Sequence, residues 1–121
     1  MLLYLQYQMN DKMNDKMNYD YTAIMREAWR LIRQNGYTRS EALKTAWLLA
    51  KVQRRMRAGV AAFAYLKVDG TVREAHGTLA ESALPPTGGN RRENPTLLTY
   101  YDTDKMAWRS FKRANILTID I

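Results

Sequence analysis

Nine basic side chains, in three groups along the 121-residue chain, are the candidates for chemistry. Lysine and arginine hold phosphate oxygens through charge-assisted hydrogen bonds, and arginine offers two parallel donors. Together with aromatic side chains that stack on bases, they predict binding of nucleic acid. The nine residues are Lys51, Arg54, Arg55, Arg57, Arg91, Arg92, Arg109, Lys112 and Arg113. The candidate stacking residues are Tyr65, Tyr100, Tyr101 and Trp108.

A second interpretation of these residues needs no ligand. The helix dipole favours cations near a helix C-terminus, which accounts for part of the group from Lys51 to Arg57. The large aromatic side chains Trp108 and Phe111 are expected in the core. Both interpretations stay open on the sequence alone.

The net charge of +7 is concentrated in one segment. Residues 21–58 contain nine lysines and arginines against Glu27 and Glu41, whereas the flanking segments are close to neutral. Such an asymmetry favours a polyanionic partner. The partner is predicted to be nucleic acid or, alternatively, an acidic protein surface.

Two helices are predicted in this basic segment. Apolar residues recur with helical spacing from Thr22 to Gln34, and Gly36 suits the left-handed position after a helix. The run Thr38–Glu41 is a capping box, which begins a second helix that runs to about Arg57. Two helices joined by a short turn also fit a helix-turn-helix, so a transcription factor is a third, weaker option.

The next segment changes to the two-residue period of a strand. Apolar residues alternate from Val60 to Val68, and Asp69-Gly70 predicts a hairpin with a two-residue loop. This loop would place Phe63 opposite His76. Gly77 is predicted to mark a bulge in the return strand.

A second hairpin is predicted from Thr96 to Phe111, after a long loop over residues 80–95. A two-residue turn at Thr103-Asp104 would pair Tyr101 with Met106. Both faces of this hairpin are apolar, so one face is expected in a barrel interior and the other under the two helices. A short helical turn and a last strand, Ile116 to Ile121, complete the pattern.

This order predicts an α+β protein in which an N-terminal two-helix hairpin packs on a small five-stranded antiparallel SH3-like (Sm-like) β-barrel. Residues 1–20, which contain a repeat of Met-Asn-Asp-Lys, are expected to be a tail. Residues 21–58 form the helical hairpin and residues 59–121 the barrel, as one compact unit.

The segment from Gly59 to Ile121 resembles the WYL-like, Sm-like SH3 β-barrel proteins of bacteria and their phages. The most specific part is Tyr101-Asp102 followed by Ala107-Trp108-Arg109-Ser110-Phe111. The preceding segments IMREAWRLIRQNGY and SEALKTAWLLAK are similar to a module that often precedes this barrel in phage and mobile-element proteins. The resemblance implies the barrel fold and an association with nucleic-acid binding, ligand sensing and regulation. The contiguous Trp-Tyr-Leu triplet is absent, so ligand sensing does not follow from the name.

Little in the sequence points to catalysis. The single histidine, His76, lies within a predicted strand, where a structural role is expected. There is no cysteine, and no His/Asp/Glu cluster has the spacing of metal ligands. No enzyme activity, cofactor or metal is predicted, and no apolar run reaches the roughly 18 residues of a membrane span. We expect a cytoplasmic binding module of a bacterium, phage or mobile element. It is regulatory or accessory or, alternatively, a protein-interaction adaptor or a phage-encoded inhibitor of a host defence complex.

Overall fold

The computed structural model describes residues 19–85 and 94–119. Two α-helices precede five β-strands in these ranges, as predicted, and neither helix is long and apolar enough to cross a membrane. The helices are α1 (Tyr21–Asn35) and α2 (Arg39–Ala58). The strands are β1 (Val60–Leu66), β2 (Val72–Thr78), β3 (Leu97–Asp102), β4 (Ala107–Lys112) and β5 (Ile116–Ile119). Short 3₁₀ turns cover Glu81–Ala83 and Arg113–Asn115.

The helix ends are set by capping residues, of which Gly36 and Thr38 were predicted from the sequence. The Asp20 carboxylate accepts a hydrogen bond from the Ala23 N–H at 3.1 Å, and Gly36 ends α1 with φ 68°. The Thr38 hydroxyl accepts a hydrogen bond from the Glu41 N–H at 3.2 Å. The same hydroxyl donates to the Glu41 carboxylate at 2.9 Å, so the capping box is confirmed as a helix start.

The five strands form one antiparallel sheet in the order β4–β3–β2–β1–β5. Neighbouring strands lie about 4.8 Å apart, so a flat sheet would separate β1 from β4 by roughly 14 Å. Instead, the rings of Tyr65 on β1 and Phe111 on β4 stack with centroids 4.5 Å apart. The sheet is therefore curled into a barrel whose inward side chains meet.

Helix α2 contributes side chains to the core of the barrel. Its residues Leu49, Val52 and Met56 belong to the same buried cluster as Phe63 and Tyr100. A second cluster holds α1 against α2. The prediction that the helices cover the outer face of the β3–β4 hairpin is wrong, because α2 instead packs against β1, β2 and β5.

The β1–β2 loop contains three residues, Val68–Gly70, and not the predicted two. Gly70 has φ 89°, the left-handed conformation that follows a type I turn in loops of this length. Phe63 consequently pairs with Ala75, and the predicted pairing with His76 is wrong by one residue. A shift of one residue exchanges the two faces of a strand, so His76 is exposed.

The β3–β4 loop contains four residues, Thr103–Met106. The Asp102 carboxylate accepts hydrogen bonds from two backbone N–H groups of this loop, at 2.9 and 3.0 Å, and so shapes the longer turn. Tyr101 pairs with Trp108, whereas the predicted partner was Met106. This shift of two residues preserves the faces, so the predicted division into two faces is confirmed.

Gly77 is not the bulge that the sequence predicted, because it pairs regularly with β1 and β3. A Cβ atom at Gly77 would lie 2.5 Å from Cδ2 of Tyr100. The absence of a side chain therefore makes room for the fully buried Tyr100 ring. The irregular pairing lies between β1 and β5, at Ala64 and Tyr65.

Candidate nucleic-acid interface

A cleft of about 500 Å³ lies where the β1–β2 loop approaches β4 and the following 3₁₀ turn. Four side chains that line it are cationic, and one, Asp69, is a carboxylate. The cations are Lys67, Arg73, Arg109 and Lys112. The volume is within the range of roughly 300–1,000 Å³ that is usual for small-ligand pockets. The excess of cations makes the cleft a candidate site for an anion.

Two of these cations lie at inward-facing strand positions. Arg73 pairs with Tyr65 across β1 and β2, and Arg109 pairs with Tyr100 across β3 and β4. Directly paired residues share a face of the sheet, and both tyrosines are buried. The two arginines therefore lie where the barrel interior meets solvent. A charge in such a half-buried position acts on a ligand more strongly than a charge in open water.

The two inward arginines differ in their acceptors. Nε of Arg109 lies 3.3 Å from Oδ2 of Asp102, whose side chain is only 4% exposed. This contact has the distance of an ion pair but not the alignment of a hydrogen bond. Among the described residues, Arg73 forms no ion pair. Arg73 is thus the less compensated of the two inward arginines.

The rim of the cleft is fixed by hydrogen bonds. Thr71 donates to Oδ1 of Asp69 through its hydroxyl at 2.6 Å and its backbone N–H at 3.0 Å, and these bonds lower the pKa of Asp69. Nζ of Lys67 lies 3.7 Å from the same carboxylate in an exposed pair, which is a weak contact. The Asn115 amide donates to the Leu66 carbonyl at 3.1 Å. The cleft retains a net positive charge.

The predicted stacking role is wrong for Tyr65 and Tyr100, because stacking requires an accessible ring face and both rings are buried in the core. Their hydroxyl groups are 2.9 Å apart. Burial, and then the hydrogen bond with Tyr65, raises the pKa of Tyr100, which stays protonated. Tyr65 and Phe111 supply an apolar lining to the cleft.

The other two aromatic candidates lie on the outer face of the barrel. Tyr101 and Trp108 are half-buried, and their rings meet edge to face with centroids 5.5 Å apart. The expectation that Trp108 belongs to the core is therefore wrong, while Phe111 is buried as expected. The Tyr101–Trp108 pair remains the one set of predicted stacking residues that is accessible.

The predicted cations of α2 lie apart from the cleft. Lys51, Arg54, Arg55 and Arg57 occupy the C-terminal half of the helix, and the Arg54 guanidinium lies 5.1 Å from the centre of the Tyr19 ring. Helix α2 leads directly into the start of β1, whereas the cleft lies at the far end of this strand. Seven residues of strand span roughly 20 Å. The structure therefore contains two separate basic regions.

Arg113 was predicted as a binding residue, but it lies outside the cleft and its side chain is hydrogen-bonded to residues of both helices. Its Nε donates to Glu27 at 2.6 Å and its Nη2 to Gln53 at 3.1 Å. Arg30 also donates to Glu27, at 2.9 Å. Burial alone would raise the pKa of Glu27, but the hydrogen bonds and charges of the two arginines outweigh it and lower this pKa. The Arg113 side chain, 17% exposed, joins α1 and α2 to the barrel.

Some predictions fall outside the described residues. Arg91 and Arg92 are among the residues that are not described. The same holds for the repeat in the predicted tail of residues 1–20, apart from Tyr19 and Asp20. The binding role of the two arginines stays a prediction.

Sequence reasoning missed two of the four cations of the cleft, Lys67 and Arg73. A two-residue loop places Tyr65 opposite Glu74, and this register turns Arg73 to the outside. The sequence signal for the correct register is Val68-Asp69-Gly70, which also fits a three-residue loop made of a type I turn followed by a left-handed glycine. This longer loop pairs Arg73 with Tyr65 and turns Arg73 inward.

His76 lies on the outside of the barrel. Its Nδ1 is 2.7 Å from Oδ2 of Asp104, so the pair connects β2 to the β3–β4 loop. Both side chains are more than half exposed. Within residues 19–85 and 94–119, no group of three His, Cys, Asp or Glu side chains has the arrangement of a metal site.

The curled five-stranded sheet, with a helix packed against its core and a cleft at one end, has the architecture of a small binding module. A family model described as WYL_2, Sm-like SH3 β-barrel fold, matches residues 49–117. The chain belongs to this family, and the resemblance inferred from the sequence is confirmed. The matched segment includes every residue that lines the cleft. No curated protein and no solved structure matches the chain.

Proposed function

We propose that this protein binds single-stranded nucleic acid with little sequence specificity, in a regulatory or accessory role in a bacterium, phage or mobile element. The observation that carries the proposal is the cleft, where four cations face one carboxylate. Arg73 and Arg109 present guanidinium groups at the end of the barrel interior, and Lys67 and Lys112 add charge beside them. This combination suits the phosphates of a strand.

The size and chemistry of the cleft favour a single strand over a duplex. A volume of about 500 Å³ accommodates one part of a strand and is too small for a double helix. Contacts to phosphates position a strand without reading its bases, which is why we expect little sequence specificity. DNA and RNA are both candidates, because phosphate contacts alone do not distinguish them.

A longer strand has further cations within reach. We assign the α2 group that includes Lys51 and Arg57 to a second contact region, about one strand length from the cleft. Arg91 and Arg92, in the loop between β2 and β3, are the remaining proposed contacts.

The test is a salt titration of affinity for single- and double-stranded DNA and RNA, measured by fluorescence anisotropy. Four phosphate contacts on a single strand give a slope of about −2.8 in log K against log salt. Affinity should then fall about 50-fold from 50 to 200 mM salt. Micromolar binding with this dependence is the expected result. No binding at the lowest salt concentration would remove the proposal.

The second candidate is a protein-interaction adaptor, which includes a phage-encoded inhibitor of a host defence complex. It is favoured by large apolar side chains that are exposed on α1, among them Trp29. A pull-down after nuclease treatment separates the two candidates. Retention of one specific protein favours the adaptor, and loss of all partners favours nucleic acid.

A further inference from the structure

Helix α1 carries a row of large apolar side chains that are not buried. Tyr21, Met25 and Trp29 are 42%, 45% and 50% exposed. Their spacing of four residues places them on one side of the helix. Ile24 and Ala28, which are buried between the helices, lie on the adjoining side of α1. The row therefore borders the core and extends its apolar surface into solvent.

Helix α2 extends this row. The Tyr21 ring meets the Trp47 ring edge to face, with centroids 5.6 Å apart. Leu43 lies one helical turn before Trp47 and is 37% exposed. We refer to Tyr21, Met25, Trp29, Leu43 and Trp47 as the α1–α2 apolar face. Contiguous apolar surface of this kind is typical of a site that binds another molecule.

Exposed cations accompany the apolar face. Each of them is next to one of its residues in sequence or one helical turn from it. They are Arg26, Arg33, Arg39, Lys44 and Lys51. Within the described part of the chain, these five side chains form no ion pair with a carboxylate.

The carboxylates of this region do not balance these cations, because they are fewer and one of them is already paired with two arginines. Asp20 caps α1, and Glu41 is hydrogen-bonded to Thr38. Glu27 is bound by Arg30 and Arg113. The α1–α2 apolar face therefore lies in positively charged surroundings.

We propose that the α1–α2 apolar face docks an amphipathic helix of a partner protein, whose apolar stripe is flanked by glutamate or aspartate. A helix in a groove uses apolar anchors at intervals of three or four residues, which matches the spacing of the exposed side chains. Flanking carboxylates would meet the exposed cations and accelerate association. This proposal does not depend on ligand binding in the cleft.

Charge decides between this partner and the other possible occupants. A second copy of the chain would bring the same five cations towards each other, which is unfavourable. Nucleic acid would satisfy the cations but would leave Met25 and Leu43 uncovered. An acidic amphipathic helix satisfies both the apolar and the charged groups.

The experiment titrates the isotopically labelled full chain with two synthetic helical peptides of about five turns, followed by NMR. Both peptides carry leucine at helical spacing on one face, and the remaining positions are glutamate in one peptide and lysine in the other. We expect the glutamate peptide to shift amide signals of α1 and the first half of α2. It should bind at least about tenfold more tightly than the lysine peptide.

Variants locate the binding. Met25→Asp should weaken binding of the glutamate peptide at least about tenfold, because it places a carboxylate in the apolar contact. Trp29→Gln, which adds no charge, should also weaken binding of the glutamate peptide. Met106→Asp is the matched control, since Met106 is 76% exposed in the β3–β4 loop and lines neither the apolar face nor the cleft, and should leave binding unchanged.

Three results would overturn the proposal. The first is the absence of shifts on α1 with the glutamate peptide, or equal affinity for both peptides. The second is a concentration-dependent shift of the same signals without peptide, which assigns the face to a second copy. The third is a shift of these signals in the Leu3→Asp variant without peptide, which assigns the face to residues 1–18.

Discussion

Arg109 and Arg113 are four residues apart in a basic sequence, yet the fold uses them in different ways. Arg113 donates to Glu27 and Gln53 and is mostly buried. Arg109 contacts only Asp102 among the described carboxylates and lies in a cleft with three further cations. The surroundings of Arg113 and the cleft around Arg109 differ in how many hydrogen-bond acceptors the fold supplies for the cations. A basic sequence therefore predicts a ligand site only where internal acceptors are too few.

The largest expected effect is on stability, in the region of Arg113. Arg113→Met should lower the free energy of unfolding by about 2–3 kcal/mol, because it removes charge-assisted hydrogen bonds from partly buried groups. The matched control is Lys112→Met, because Lys112 precedes Arg113 in the chain and has an exposed side chain. This substitution should change the free energy of unfolding by less than about 0.5 kcal/mol. Urea unfolding measures both. Equal effects of the two substitutions would show that Arg113 is not the structural member of the pair.

The pH dependence of stability should also distinguish the two regions. The pKa of Glu27 in the folded state is below its ordinary value of 4.5. Its contribution to stability is therefore present above that pH and is lost as the pH falls through the folded-state pKa. Because Arg113 helps to lower this pKa, the wild type should lose more stability than Arg113→Met as the pH falls below 4.5. Parallel curves from urea unfolding would contradict the assignment.

A smaller change should appear in the cleft when a carboxylate is removed. Asp102→Asn keeps an oxygen for the two loop N–H groups but removes the negative charge beside Arg109. Affinity for single-stranded DNA should rise severalfold at low salt, because Arg109 is no longer compensated. Asp104→Asn, on the exposed loop, is the control and should have less effect. Anisotropy titrations measure both, and a lower affinity of Asp102→Asn would contradict this role of Asp102.

The smallest effect concerns His76. His76→Ala should change the free energy of unfolding by less than about 1 kcal/mol, because its pair with Asp104 is exposed. Nucleic-acid affinity should not change, since His76 is not among the residues of the cleft. Thermal unfolding and anisotropy measure the two quantities. A large loss of affinity would extend the interface to the outside of β2.

Local rules were sufficient for the order of elements. Capping at Thr38 and Gly36 identified the helix ends, and two-residue alternation identified the strands. The signal that failed was loop length, because Asp69-Gly70 fits loops of two or three residues. Because of this one-residue error, the prediction placed Arg73 on the outer face of the sheet and did not identify the cleft.

The candidate site depended on information that the sequence pattern does not contain. Arg73 and Arg109 are brought together by the curling of the sheet, since β3 lies between their strands in the sheet. The position of Arg113 depended on Glu27, which is far away in sequence and adjacent only after α1 docks. Periodicity identifies the face of an element, but the partner on that face depends on tertiary packing.

The most direct experiment asks whether the cleft, and not the overall positive charge, binds nucleic acid. Arg73→Gln with Lys112→Gln removes two charges from the cleft, and Arg39→Gln with Lys44→Gln removes two from the exposed surface of α2. The measurement is the slope of log K against log salt for a single-stranded oligonucleotide. We predict that the cleft variant makes this slope shallower by about 1.4 and that the α2 variant leaves it unchanged. Equal slopes for the two variants would contradict binding of nucleic acid in the cleft.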